Sequence, residues 1–157
     1  MPSDPRISGP ESLAFEPAET VLRSLPAWFG VESALLDYAR QAETQPTFIA
    51  ERDGAVVGFA TARQHYPQAA ELTCLAVRPE HHRQGLGRAL VEAAEAWMVE
   101  QGAVLAQVKT LSETHPDPHY AQTRAFYTAM GYLPLETLPK LWGPQHPCLV
   151  MVKPLAQ

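Results

Sequence analysis

Residues 71–90 read ELTCLAVRPEHHRQGLGRAL, and the fold follows from how this stretch is parsed. Leu72, Cys74, Leu75, Ala76 and Val77 form an apolar run that Pro79 stops, so a β-strand is predicted over 71–77. A short basic connection follows, with Arg78, His81, His82 and Arg83. Beyond Gln84-Gly85-Leu86-Gly87-Arg88 the apolar positions Leu86, Ala89, Leu90, Ala93, Ala94, Trp97 and Met98 recur at helical spacing, which predicts a helix over 86–101. Two glycines at the start of a helix let backbone N–H groups approach an anion without a Cβ in the way. The helix dipole and its unpaired N–H groups point at the same spot. Arg83 and Arg88 add positive charge on both sides. The stretch reads as a phosphate cradle or, more simply, as a glycine turn that starts a helix.

Working outward, residues 47–52 (TFIAER) and 55–64 (AVVGFATARQ) are strands joined by Asp53-Gly54, a two-residue hairpin signal. The strand at 71–77 is reached by a short connection and is expected to lie antiparallel to its predecessor. Gly102 caps the long helix, and residues 104–110 form the next strand. A strand–helix–strand unit of this length implies a parallel pair. Helices are expected at 18–25, 32–42 and 120–130, with further strands at 132–135 and 148–152. The fold class is α/β, a mixed sheet in one domain over 1–157. Residues 1–15 are expected to be loose or to add an edge strand around Ile7 or Leu13.

Hydrophobic residues make up 46% and charged residues 18%, ordinary values for a chain with a real core. The formal net charge of −5 argues against a nucleic-acid partner, so the basic cluster at 78–88 suits a small anion. Cys74 and Cys148 read as small buried hydrophobes. No apolar run has the character of a signal core or approaches membrane-spanning length; the expectation is a cytoplasmic protein without a membrane partner. His115-Pro116-Asp117-Pro118-His119 matches no zinc spacing, and no metal is expected.

A Rossmann dinucleotide site fits poorly. The third glycine of its fingerprint is Leu90 here, and an antiparallel hairpin lies just upstream. Two other motifs agree better. His82-Arg83-Gln84-Gly85-Leu86-Gly87 is similar to the Arg/Gln-x-x-Gly-x-Gly/Ala signature of the GNAT superfamily of acyl-CoA N-acyltransferases, with His82 departing at the first position. Tyr127-Thr128-Ala129-Met130-Gly131-Tyr132 resembles the family's Tyr-x-x-x-Gly-Phe/Tyr. The resemblance covers roughly residues 45–153.

The resemblance implies acetyl-CoA as co-substrate and a sheet whose two central strands splay apart. It implies that Arg83, Gln84, Gly85, Leu86, Gly87, Arg88 and Ala89 hold the pyrophosphate. The pantetheine arm would run beside Leu75, Ala76 and Val77, with Phe126 also in contact and the Leu75 N–H near the thioester carbonyl. Tyr127 is the candidate acid for the departing thiolate, or else a core residue. Glu71 is the candidate base, since some members, including histone acetyltransferases, carry a catalytic glutamate there; a substrate-amine binder or a strand-end charge are the other readings. Trp28, Phe29, Tyr38, His119, Tyr120 and Trp142 are candidate walls of an acceptor pocket, with the loop 112–120 as its cover. The expected reaction is acetyl transfer to a small primary amine, by a monomer or homodimer. A non-catalytic acyl-CoA-binding module and a protein acetyltransferase are the alternatives.

Overall fold

The computed structural model describes residues 4–156. In chain order its elements are β1 Arg6–Glu11, α1 Phe15–Arg23, α2 Glu32–Thr44, β2 Thr47–Arg52, β3 Ala55–Tyr66, β4 Ala69–Val77, α3 Leu86–Glu100, β5 Leu105–Leu111, α4 Pro118–Ala129, β6 Leu133–Leu138 and β7 Cys148–Pro154. A short 3₁₀ turn, Pro79–His81, separates β4 from α3. The strands form one mixed sheet in the order β1-β2-β3-β4-β5-β7-β6. All neighbours are antiparallel except β4 and β5, the pair joined through α3.

The N-terminal segment is not loose across 1–15. Residues 1–3 lie outside the described part, but Arg6, Ile7 and Ser8 pair with β2, and the Leu13 N–H donates to the Ala42 carbonyl at 2.9 Å. A backbone ladder holds it, so of the two expectations the edge strand around Ile7 is the one that forms. The hairpin signal at Asp53-Gly54 corresponds to a turn with both residues at positive φ (53° and 80°), the geometry that matches strand twist. Helix α4 begins two residues before its expected start. Pro118 takes its first turn, and the Asp117 side chain caps the N–H groups of His119 (2.8 Å) and Tyr120 (3.4 Å).

Two apolar clusters lie on opposite faces of the sheet. One packs α3 and Tyr127 of α4 against Phe48, Leu72, Val108 and Met151. The other packs α1 and α2 through Val21, Leu22, Leu35 and Ala39 against Ile49, Phe59 and Cys74. Strand β4 contributes to both because of a bulge. Thr61 pairs with Cys74 and Ala62 with Leu72, so Thr73 is an extra residue. Before it, Ala70 and Leu72 face the α3 side. After it, Cys74 and Ala76 face the α1/α2 side, while Leu75 and Val77 face α3. One inserted residue reverses the alternation of the strand.

The bulge coincides with the place where the central strands part. Pairing of β4 with β5 runs from Ala69↔Leu105 to Leu72↔Val108 and stops. Strand β5 continues beside β7 as far as Leu111↔Cys148. Beyond Leu72 the two strands diverge, which opens a cleft in the middle of the sheet.

Burial in these cores also sets a pH response. It raises the Cys74 thiol and the Tyr132 and Tyr127 phenols above their ordinary values. The folded state therefore keeps protons that the unfolded chain releases. This contribution is full below the unfolded values, about 8.5 for Cys and 10 for Tyr, and declines as pH rises toward the folded ones. A melting series is expected to show the midpoint falling above about pH 9, and Cys74→Ala to lessen that fall. A midpoint unchanged to pH 10.5 would contradict the argument.

Candidate active site

The cleft widens into a cavity of ≈ 580 Å³ lined by β4, β5, the loop before α3, and α4. At one end lies the cradle. The N–H of Ala89 is bonded to the Gly85 carbonyl at 3.0 Å, but among the described residues those of 83–88 have no partner. Gly85 at φ 81° and Arg83 at φ 62° turn the chain so that successive N–H groups converge at the start of α3. Arg83 lines the cavity and has no ion pair among the described residues. Arg88 lines it too, with Glu92 at 2.8 Å on the exposed side. Six unpaired N–H groups beside two guanidiniums fit a diphosphate.

His82 occupies the position where the signature has Arg or Gln. Its Nε2–H donates to the Val77 carbonyl at 2.6 Å, which ties the loop to the end of β4. Gln84 does not face the cavity. Its Oε1 accepts from Arg52, which also contacts His81 Nδ1 at 3.1 Å. Ala89 likewise lies outside the wall, whereas Gly85, Leu86, Gly87 and Phe126 are in it.

The middle of the cavity is the splayed edge of β4. The Arg78 N–H donates to the Val57 carbonyl at 2.9 Å, and Val77 is paired with Gly58. By the alternation of an antiparallel ladder, the N–H and C=O of Leu75 and Val77 point away from β3 into the cleft. Strand β5 has already departed, so the N–H groups of both residues and the Leu75 C=O are available to an extended, amide-rich ligand, while the Val77 C=O already accepts from His82. Leu75, Ala76 and Val77 all line the wall.

Tyr127 stands on α4 in the same wall. Its ring is held edge-on by Phe126 (5.3 Å) and Tyr132 (5.7 Å). Burial, with smaller contributions from Cys74, Tyr120 and Tyr38, pushes its phenol well above 10. The group stays protonated at neutral pH, as an acid requires.

Glu71 is placed differently from a residue that touches substrate. It is 5% exposed and outside the cavity wall. Its Oε1 accepts from His65 Nε2 (2.7 Å), Gln107 Nε2 (3.1 Å) and Lys109 Nζ (3.3 Å), and Lys109 also reaches Oε2 at 3.3 Å. Lys109 does line the cavity and ties the carboxylate to its wall at 3.3 Å. Sequence reasoning missed this lysine. The signal was present, because a lysine inside the strand LAQVKTL is a polar residue on an otherwise buried element. Thr110 was missed as well: it is 3% exposed, it lines the cavity, and its Oγ1 has no hydrogen-bond partner.

The far end is aromatic. Trp28, Phe29, Tyr38, Tyr120 and Trp142 line it. Trp28 spans from the α1–α2 connection to α4: its Nε1–H donates to Thr123 Oγ1 at 3.0 Å, and its carbonyl accepts the Tyr120 hydroxyl at 2.7 Å. Phe29 packs edge-on to Tyr38 at 5.7 Å. His119 is outside the wall, packed behind Trp28 at 4.9 Å. Residues 112–119 do not cover the cavity either. Asp117 is spent on capping α4, and the Ser112 N–H bonds the Pro147 carbonyl at 2.8 Å, which draws the loop toward β7.

Residues 16–132 match the model of the acetyltransferase (GNAT) family, and the chain belongs to that family. An uncharacterized N-acetyltransferase of Chlorobaculum tepidum is 34% identical over 89 residues, 57% of this chain and 50% of that protein. The chain thus spans about half the length of this curated relative. A structure assigned to the GNAT family from Desulfovibrio desulfuricans superposes with a TM-score of 0.81 at 18% identity, covering 98% of this chain and 100% of that one. An aminoglycoside 6′-N-acetyltransferase complexed with coenzyme A gives 0.74 at 20% identity, covering 97% and 98%. At these identities the structural likeness speaks to fold. Among the described residues, no helix is long and apolar enough to cross a membrane, and no group of three or more His, Cys, Asp or Glu is arranged to hold a metal.

Proposed function

We propose that this chain transfers an acetyl group from acetyl-CoA to the primary amine of a small molecule, by direct attack with both substrates bound. The observation that carries the reading is the continuity of one cavity. It runs from six unpaired N–H groups at the start of α3, past the open edge of β4, to a protonated tyrosine. The N–H groups of 83–88 with Arg83 and Arg88 hold the pyrophosphate. The open N–H groups of Leu75 and Val77 and the Leu75 C=O pair with the pantetheine amides.

An alkylammonium has a pKa of roughly 10 and does not attack until it loses a proton. Glu71 takes that proton through water, because its carboxylate lies behind the wall. The amine nitrogen then forms a bond to the acetyl carbon, and the Leu75 N–H stabilises the oxyanion. The C–S bond breaks, Tyr127 gives its proton to the departing sulfur, and the phenolate recovers a proton from the amide nitrogen through solvent. The products are the acetamide and the free thiol.

Thiol release from acetyl-CoA, measured over a panel of primary amines, tests the reading. Tight CoA binding with no transfer to any amine would leave a binding module in its place. Glu71→Gln is expected to lower kcat about 10²-fold with the KM for acetyl-CoA within about twofold. A mutant with the wild-type kcat would remove Glu71 from the proton path and leave it as the partner that holds Lys109.

A further inference from the structure

The acceptor end of the cavity has a charge pattern that acetyl transfer alone does not require. Among the described residues, no aspartate or glutamate lines the cavity. The nearest buried carboxylate, Glu71, lies behind the wall, screened by Lys109 at 3.3 Å. Groups able to become anionic are held neutral. Burial raises the Tyr38 phenol and the Cys74 thiol and pushes the Tyr120 phenol up to about 12. Burial is the main cause at Tyr38 and the Glu71 charge adds to it, so this neutral wall lies near the carboxylate that Lys109 holds. Arg83 and Arg88 are positive too, but at the cradle end, where bound phosphate would neutralise them. Lys109 lines the cavity with its Nζ 3.3 Å from Glu71.

The shape of this end is as specific as its charge. Trp28 is pinned through both Nε1 and its carbonyl, and Phe29 and Tyr38 brace each other. A rigid aromatic slot suits a flat ring better than a flexible polar chain.

We propose that the acceptor is a primary amine on an aromatic or apolar body with no second positive charge, and that Lys109 sets this specificity by turning diamines and polyamines away. The inference rests on the acetyl-transfer reading and narrows it to a substrate class. A monoamine loses its charge when it is deprotonated for attack, and then sits beside Lys109 as a neutral group. A diamine keeps a second ammonium in a cavity without a carboxylate to receive it. Aromatic faces attract one ammonium, which serves the reacting amine on entry; a second meets the lysine.

The experiment compares 2-phenylethylamine, ethylamine, putrescine and spermidine as acceptors. It also measures their equilibrium binding to the CoA-loaded protein by calorimetry. The expected kcat/KM for 2-phenylethylamine is at least about 100-fold above those for putrescine and spermidine, with binding in the same order. Lys109→Gln is expected to shrink that ratio below about tenfold. Removing the lysine uncovers a buried carboxylate, so a second variant avoids dependence on its folding. Trp142→Ala, on a partly exposed side chain, is expected to lower the preference for 2-phenylethylamine over ethylamine about tenfold. Putrescine or spermidine acetylated as fast as 2-phenylethylamine would overturn the specificity and leave the transfer reading intact. Selective binding of 2-phenylethylamine with no transfer would do the reverse.

Discussion

Tyr127→Phe is expected to lower kcat about 10³-fold while the KM for acetyl-CoA stays within about twofold, because on the proposed mechanism only the acid for the departing sulfur is lost. The phenylalanine ring keeps the contacts with Phe126 and Tyr132 that hold the tyrosine. The hydroxyl has no protein hydrogen-bond partner among the described residues, so its removal orphans nothing. The melting midpoint is therefore expected to hold, which separates a catalytic loss from a folding defect. The protonation argument adds a second readout. Burial keeps the phenol protonated well above pH 10, so the wild-type kcat profile should show no fall from this group up to pH 10. The design is steady-state kinetics with the thiol as readout, on both proteins, from pH 6 to 10. Turnover in the mutant equal to wild type would remove Tyr127 from the chemistry and leave it a core residue.

Gly87→Trp is the matching test at the other end of the cavity, with an expected rise in the CoA dissociation constant of about 10³-fold, or about 4 kcal/mol. Gly87 is the second residue of α3 and faces Phe126. A Cβ built there meets the ring at 3.5 and 3.6 Å, which is ordinary contact. The backbone therefore accepts a side chain, and replacing glycine in a helix favours folding by up to about 1 kcal/mol. The rest of the indole would enter the cavity that Gly87 and Phe126 line, at the end proposed for the phosphates. The expected result is a stable protein that no longer binds CoA. Gly85 is the less clean choice, since its φ of 81° strains any replacement. Calorimetry with CoA and with dephosphorylated pantetheine completes the experiment. Equal affinity of the wild type for the two would mean that the N–H groups of 83–88 are not a phosphate site.

Much of this arrangement was legible in local sequence because the forces behind it are local. The apolar run ending at Pro79, the helical spacing after Gly85 and the Asp53-Gly54 turn each restrict the backbone over a few residues. The parallel pairing of β4 with β5 followed from the length of the crossover. Strand β1 was one of two expectations for its segment, and its exact place, like the start of α4, was harder. The first depends on a ladder with β2, the second on a side-chain cap from Asp117, and neither leaves an apolar pattern.

Residues 71–90 thus determined, by themselves, a strand, a basic turn and a glycine-opened helix, and with them the cradle proposed for the pyrophosphate. Backbone sterics and hydrogen-bond geometry act over neighbours in the chain, so composition at fixed spacing was enough. What lies around that cradle was decided in three dimensions. The bulge at Thr73 is visible only in the register of β3 against β4. Glu71 looked like a residue open to substrate, yet Lys109, His65 and Gln107 converge on it from two other strands and place it behind the wall. His119 seemed to face the acceptor, but Trp28, far away in sequence, stands in front of it. The charge at the acceptor end depends on which of two paired side chains reaches the cavity. That is a property of packing, and no spacing along the chain encodes it.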